Sequence, residues 1–98
     1  MSMRNRFAVT YDVMDDKRLK RLYKKMCGFG DPVQYSVFLC PLSQAEKAIL
    51  VDAIKAIINQ KEDRVMLVDL GPMDGRGAEC IEFVGRKREM TDSRAVVV

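Results

Sequence analysis

The sequence predicts an α+β sandwich, in which two helices cover one face of an antiparallel sheet. Three observations lead to this fold class. Short apolar stretches carry the β-branched and aromatic residues that are typical of strands. Two longer stretches carry apolar residues at helical spacing. The elements follow the order strand, helix, extended segment, helix, strand, strand, which suits two helices packed on a single sheet.

The first strand is predicted from Phe7 to Tyr11, and it delivers Asp12 to the end of the sheet. The helix that follows has Asp15 and Asp16 as candidate N-cap residues. Its apolar positions have the spacing i, i+3, i+4 and i+7, at Leu19, Leu22, Tyr23 and Met26. Its outer face is basic and consists of Lys17, Arg18, Lys20, Arg21, Lys24 and Lys25.

The elements after this helix are predicted from shorter signals. The region from Asp31 to Cys40 is extended and has to supply two short strands. Residues 43–46 (SQAE) form a capping-box pattern, which predicts a second helix that runs to about Ile58. Apolar residues at 65–70 and 80–84 predict two more strands.

This order of elements predicts a ferredoxin-like domain over residues 1–85, followed by a C-terminal tail at 86–98. Two helices can cover only one face of the sheet, yet the predicted strands are apolar at nearly every position. Since most soluble oligomers are two-fold homodimers, we expect the second face to pack on another copy of the chain. The strand at 80–84 or the tail would then add to the neighbouring sheet.

The composition excludes several kinds of chemistry. Histidine is absent, which excludes Ser-His and Cys-His nucleophile pairs and the usual zinc sites. Cys27, Cys40 and Cys80 are odd in number and widely spaced, so they are expected to be reduced core thiols. No apolar stretch is long enough to span a membrane and no signal peptide is recognisable, so we expect a cytoplasmic location and no membrane partner.

The charge is unevenly distributed along the chain. Residues 1–30 contain eight Lys or Arg and three Asp, a balance of +5, whereas residues 31–98 contain nine basic and eleven acidic residues, a balance of −2. A clustered cationic face binds nucleic acid by displacing counterions from phosphates. Arg18 and Arg21 lie three residues apart and are the candidates for contacting adjacent phosphates. A solvated helix face explains the same pattern.

Asp12 is the candidate catalytic residue and metal ligand, because a side chain at a strand end is held by rigid backbone and faces an open end. One carboxylate supplies at most two of the oxygen ligands that Mg²⁺ needs, so a single copy makes a poor site. In a dimer whose two-fold axis passes near the strand ends, two copies of Asp12 can share one ion, which would activate water for phosphodiester hydrolysis. The alternative is that Asp12 only caps the following turn.

The aromatic residues have two interpretations. Tyr11, Tyr23 and Tyr35 are expected at the edges of the core, and the alternative is that they stack on nucleic-acid bases. Ser36 and Phe38 alternate with Val37, so they share one face of their strand. Core packing is the expected role of Phe38.

Residues 11–13 (YDV) followed by residues 15–19 (DDKRL) form one motif, and residues 33–38 (VQYSVF) form a second. Together, at this spacing, the two motifs resemble the Cas-two family of small CRISPR-associated adaptation proteins. The resemblance implies a homodimer that associates with the CRISPR integrase (the Cas-one protein) during the capture of new spacers. It also implies Mg²⁺-dependent endonuclease activity on RNA or DNA. The family's catalytic aspartate falls on Asp12, its basic helix start on Arg18, and its Ser-Val-Phe segment on Ser36 and Phe38.

Three functions are open at this point. The first is a metal-dependent nuclease that acts through Asp12. The second is a non-catalytic adaptor that binds DNA and bridges integrase subunits through the basic helix and the apolar dimer face. The third is a small regulatory domain that binds a metabolite, in which case nucleic-acid affinity would not fall steeply with salt.

Overall fold

Four strands form one antiparallel sheet in a computed structural model of the chain, which describes residues 3–86 and the backbone of Val96–Val97. The order across the sheet is β2-β3-β1-β4, and every neighbouring pair is antiparallel. The region 31–40 supplies two strands, as predicted. The strands are β1 (Asn5–Asp12), β2 (Asp31–Gln34), β3 (Val37–Leu42) and β4 (Arg64–Pro72).

Two helices connect these strands, and both begin at the caps that the sequence predicts. Helix α1 (Asp16–Met26) has Asp15 as its N-cap, whose carboxylate accepts a hydrogen bond from the Arg18 N–H at 3.0 Å. Helix α2 (Gln44–Ile57) begins at the predicted capping box, in which the Ser43 hydroxyl accepts from the Glu46 N–H and the Glu46 carboxylate accepts from the Ser43 N–H. Each cap satisfies N–H groups that have no partner within the helix.

The core lies between these two helices and one face of the sheet. In β1 the alternate residues Phe7, Val9 and Tyr11 point to this face, as expected for a strand with a period of two. Strand β3 and both helices contribute the other residues of this core cluster, which are Phe38, Cys40, Leu42, Leu22, Met26, Leu50, Ile54 and Ile57. The ferredoxin-like arrangement predicted from the order of elements is confirmed, with both helices on one face.

The opposite face of the sheet, called the outer face below, is partly covered by the chain itself. The outward side chain of Arg6 is only 2% exposed and donates a hydrogen bond to the Gly77 carbonyl in a short helix, α3 (Arg76–Glu79). Farther along the sheet, Met66 and Val68 remain 54% and 38% exposed. Helix α3 therefore covers the Arg6 end of the outer face and leaves the Asp12 end open.

Three features after β4 differ from the sequence prediction or extend beyond the described residues. The predicted strand at 80–84 is wrong in extent, because only Glu82–Phe83 form a strand, β5, which pairs in parallel with β6 (Val96–Val97) and not with the main sheet. The remainder of the predicted tail, residues 87–95 and 98, lies outside the described residues. Among residues 3–86 no helix is long and apolar enough to cross a membrane.

The cysteines are free, but only one is a core residue. Cys40 is fully buried, and burial raises the pKa of its thiol to about 12. Cys27 is exposed and Cys80 is partly exposed, so the prediction of three core thiols is wrong for these two. Cys27 follows the last turn of α1, where the side chain has left the apolar stripe that faces the core.

Candidate metal and nucleic-acid site

Asp12 ends β1 with an exposed side chain that no residue within 3–86 holds in a hydrogen bond or ion pair. The cap of α1 is Asp15, so the alternative in which Asp12 caps the following turn does not apply to this helix. In the register between β1 and β4, Asp12 lies opposite Arg64, Thr10 opposite Met66, and Ala8 opposite Val68. The Asp12 side chain is therefore on the outer face, in line with the exposed apolar residues.

The turn between β2 and β3 brings the second motif against the first. The Ser36 carbonyl accepts a hydrogen bond from the Tyr11 N–H at 3.1 Å, which extends the pairing of β1 to the residue before β3. Ser36 has a φ of +59°, in the left-handed region that non-glycine residues adopt rarely and that recurs at functional sites. The hairpin tip is thus fixed beside the residue that precedes Asp12.

Phe38 is fully buried, which confirms its expected core role, and it supports two tyrosines. Its ring centroid lies 5.4 Å from that of Tyr23, in an edge-on arrangement, and 6.2 Å from that of Tyr11. Tyr11 is 8% exposed and Tyr23 is 47% exposed, so both have one side on the core. Tyr35 is 87% exposed at the hairpin tip, and the expectation of a core-edge residue is wrong there because the turn carries it away from the sheet.

Arg18 is engaged inside the molecule. Its guanidinium donates to Asp63 from Nε at 2.7 Å and from Nη2 at 3.1 Å, and Nη2 also reaches Glu62. The Asp63 side chain is fully buried and also accepts hydrogen bonds from the backbone N–H groups of Met14 and Asn59. The hydrogen bond from Arg18 has the largest effect, and together these donors hold the pKa of Asp63 well below its usual range. In return, the hydrogen bond to Asp63 raises the pKa of Arg18.

This network fastens the loop after Asp12 to the turn before β4. Asp63 is not recognisable as a partner from the sequence, because a separation of 45 residues from Arg18 gives no local signal for the pairing. A Glu62-Asp63 pair between a helix and a strand is the only hint, and surface acidic pairs of this kind are common. Arg18 thus has a structural partner in addition to the phosphate-binding role predicted for it.

Other basic residues of α1 remain exposed. Arg21, Lys24 and Lys25 line a shallow depression of about 450 Å³ together with Gly28 and Phe29. The exposed cations of this helix, called the basic face below, are Lys17, Lys20, Arg21, Lys24 and Lys25. The basic face presents its charges at the spacing of one helical turn, and such an array contacts successive phosphates.

The residues of one copy do not form a complete metal site. Among residues 3–86 no three Cys, Asp or Glu side chains are close enough together to hold an ion. Mg²⁺ takes six oxygen ligands in an octahedron, and Asp12 alone supplies one or two of them. The donor type fits a hard cation, and the other ligands of such an ion would come from water, a bound phosphate or a second copy of the chain.

The comparisons with known proteins agree on one family. The family model described as CRISPR associated protein Cas2 matches residues 5–74, which include β1 to β4. A Geobacter sulfurreducens protein named CRISPR-associated endoribonuclease Cas2 is 34% identical over 96 residues, covering 98% of this chain and all of the relative. A Rhodospirillum rubrum protein, CRISPR-associated endoribonuclease Cas2 1, is 30% identical over 92 residues, covering 94% of this chain and 89% of the relative.

Solved structures show the same fold. The crystal structure of Streptococcus pyogenes Cas2 is 34% identical, with a TM-score of 0.63 over 67% of this chain and 86% of that one. A hypothetical protein from Thermus thermophilus, TT1823, is 26% identical, with a TM-score of 0.68 over 69% of this chain and 83% of that one.

Proposed function

Because this chain belongs to the CRISPR-associated Cas2 family, we propose that it acts in CRISPR spacer acquisition as a metal-dependent endonuclease whose catalytic carboxylate is Asp12. The observation that carries the proposal is an exposed carboxylate on a rigid strand end with no internal partner among residues 3–86. Relatives named endoribonuclease favour RNA as the substrate, and DNA is the alternative. The cytoplasm is the compartment in which such a protein would meet both.

The active form in this proposal is a homodimer formed through the outer face. Met66 and Val68 are exposed there, and Asp12 is on the same face of the sheet. A second copy packed on this face removes both apolar side chains from water, which favours association. When the two-fold axis lies near the open end, the two Asp12 carboxylates approach each other and provide the oxygen ligands that one copy lacks.

Mg²⁺ is the ion that we propose for this paired site. When bound, a divalent cation supplies charge neutralisation at the phosphodiester and an activated water. The chain's own residues then have separate tasks. Asp12 binds and orients the metal ion. Arg64 lies opposite Asp12 on β4 and offers a cation to the phosphate, and the basic face holds phosphates farther along the nucleic-acid strand.

The proposed catalytic role is tested by cleavage assays on RNA and DNA with Asp12→Asn. We expect the variant to lose about a hundredfold or more of the Mg²⁺-dependent rate, because the metal loses its only charged ligand from each copy. Asp16→Asn is the matched control, since Asp16 is exposed in the first turn of α1 and should leave the rate unchanged. Equal Mg²⁺-dependent rates in Asp12→Asn and wild type would contradict the role of Asp12.

The dimer is tested separately by sedimentation at micromolar concentration. Met66→Lys places a charge on the outer face and should shift the chain toward monomer. Ile49→Lys is the control, because Ile49 is equally exposed, at 60%, but lies on α2 on the other side of the sheet. A wild-type chain that remains monomeric, or a Met66→Lys variant that dimerises as well as wild type, would contradict the proposed interface.

A non-catalytic adaptor of the integrase is the second candidate function. The basic face favours it, since these cations are exposed on α1. This function predicts that Asp12→Asn leaves spacer acquisition intact, whereas Arg21→Glu with Lys24→Glu impairs it. Arg18 is unsuitable for this test, because reversing its charge would also break the pair with Asp63. Acquisition assays on both variants, with the integrase present, distinguish the adaptor from the nuclease.

A further inference from the structure

Three tyrosines converge on one groove between α1 and the β2–β3 hairpin. The groove has a volume of about 470 Å³ and is lined by Tyr11, Tyr23 and Tyr35, with Lys20, Pro32 and Gln34 around them. The volume is ample for one planar aromatic ring with its surrounding water. Because Tyr11 precedes Asp12 in β1, the groove and the candidate catalytic carboxylate are at the same end of this strand, on opposite faces of the sheet.

The three tyrosines that line the groove differ in how firmly the fold holds them. Tyr11 and Tyr23 both rest on the buried ring of Phe38, at centroid distances of 6.2 and 5.4 Å, and form a fixed inner wall. Tyr35 is 87% exposed, so its ring contributes little to the stability of the folded chain. The neighbouring residue Ser36 is in the left-handed region, and this turn conformation is what presents Tyr35 at the hairpin tip.

The charge around the groove selects the type of occupant. Lys20 lies at its rim, and the other cations of the basic face are within five residues of it on α1. Among residues 3–86, the groove lining includes no carboxylate. Single-stranded nucleic acids are bound by this combination, in which cations follow the backbone and aromatic rings stack on successive bases. Paired bases stay within their own stack, so such a groove is selective for unpaired ones.

We propose that this tyrosine groove binds an unpaired nucleobase of single-stranded RNA or DNA, while the basic face of α1 holds the phosphates on either side of that base. This inference rests on the proposed nucleic-acid function and adds an element to it, namely a base-binding subsite between α1 and the β2–β3 hairpin. Gln34 provides an amide at the rim that can hydrogen-bond to a base edge.

The test uses a short single-stranded oligouridine that carries 2-aminopurine, and the same backbone with abasic sites. We expect Tyr35→Ala to bind the base-bearing strand about tenfold more weakly, to quench 2-aminopurine less, and to bind the abasic strand as wild type does. Tyr35→Phe keeps the stacking ring and should bind within about twofold of wild type. Because Tyr35 is exposed, both variants should fold as wild type does, and circular dichroism checks this.

Lys24→Gln separates the base contact from the phosphate contacts. This variant should weaken both strands alike and reduce the slope of log affinity against log salt by about 1, whereas Tyr35→Ala should leave that slope unchanged. If wild type binds both strands equally and Tyr35→Ala changes neither, the groove has no base site and the proposed function stands without it. If wild type binds neither strand, the proposed nucleic-acid function fails as well. If Tyr35→Ala weakens only binding of the integrase, the groove is a protein-docking site and the proposal is wrong.

Discussion

Each end of β1 has a charged outward side chain and an ion pair, but a different one of the two is buried at each end. At the start of the strand, the outward side chain of Arg6 is buried beneath α3, and the ion pair between Arg4 and Glu46 is at the surface. At the end of the strand, the ion pair between Arg18 and Asp63 is largely buried, and the outward side chain of Asp12 is exposed. Helix α3 therefore closes the outer face at the start of β1, whereas an internal ion pair holds the end of β1 and leaves the outer face open.

This difference shows how the chain keeps a carboxylate both exposed and well positioned. The loop that follows Asp12 is held by the hydrogen bond from the Met14 N–H to Asp63, and the strand is held by the hydrogen bond from the Tyr11 N–H to Ser36. None of these contacts occupies the outer face. A ligand can therefore reach Asp12 without displacing the groups that fix its backbone, which is the arrangement that a preorganised site requires.

The largest expected effect on stability is at the closed end, from Gly77→Ala. A Cβ at this position would overlap with the Gly71 carbonyl oxygen and lie 2.8 Å from that of Pro72, and both are backbone atoms that cannot move alone. We expect unfolding to become about 3 kcal/mol easier, in line with overpacked interiors. For a domain of this size the melting temperature should fall by roughly 15 °C, measured by circular dichroism.

Gly28→Ala is the control for this substitution. Its Cβ would approach only the Lys25 carbonyl oxygen, at 3.4 Å, which is an ordinary contact. The variant should stay within about 0.5 kcal/mol of wild type. Equal melting temperatures for Gly77→Ala and Gly28→Ala would mean that α3 does not close the Arg6 end as the structure indicates.

The next largest effect is expected at the open end, from Asp63→Asn. The amide keeps the shape of the side chain but loses the charge that pairs with Arg18, so the variant should melt at a lower temperature at pH 7. The folded-state pKa of Asp63 is depressed, so its contribution is complete above the ordinary value of 3.8 and is lost as the pH falls toward the depressed value. The melting-temperature difference between wild type and variant should therefore be constant above about pH 5 and shrink below about pH 4.

Asp52→Asn is the control, because Asp52 is an exposed residue of α2. Its melting temperature should follow wild type at every pH. An Asp63→Asn variant whose melting temperature runs parallel to that of wild type from pH 7 to about pH 3 would show that the pair with Arg18 does not stabilise the loop after Asp12.

The local elements at both ends could be predicted from the sequence. The Asp15 cap and the box formed by Ser43 and Glu46 involve residues three apart, so their pattern is visible in the sequence. The period of two in β1 separates Phe7 and Val9 from the outward residues in the same way. The exposure of Asp12 at the strand end follows from the length of that strand.

The contacts that distinguish the two ends could not be predicted, because they join residues far apart in the chain. Arg6 alternates with buried residues and looks solvent-exposed until Gly77, 71 residues later, covers it. Tyrosine is a residue type typical of the edge of a core, so the residue type does not predict the exposure of Tyr35. That exposure depends on the left-handed turn at Ser36. The pairing of Glu82–Phe83 with Val96–Val97 depends on where the chain returns, which a two-residue strand does not encode.

The smallest expected effect is from Glu46→Gln, at the surface pair of the closed end. Glutamine keeps the capping box with Ser43 but removes the charge that accepts from Arg4 at 2.8 and 2.9 Å. Hydrogen bonding to Arg4 lowers the pKa of Glu46 from 4.5 to about 2, so its contribution is present above pH 4.5 and is lost as the pH falls through 2.

Because the Arg4 and Glu46 side chains are 54% and 36% exposed, water and salt screen the pair. We expect a cost below about 1 kcal/mol that largely disappears in 1 M salt, whereas the effect of Asp63→Asn should persist there. Equal salt sensitivity of the two variants in chemical denaturation would contradict the contrast between a surface pair and an internal one.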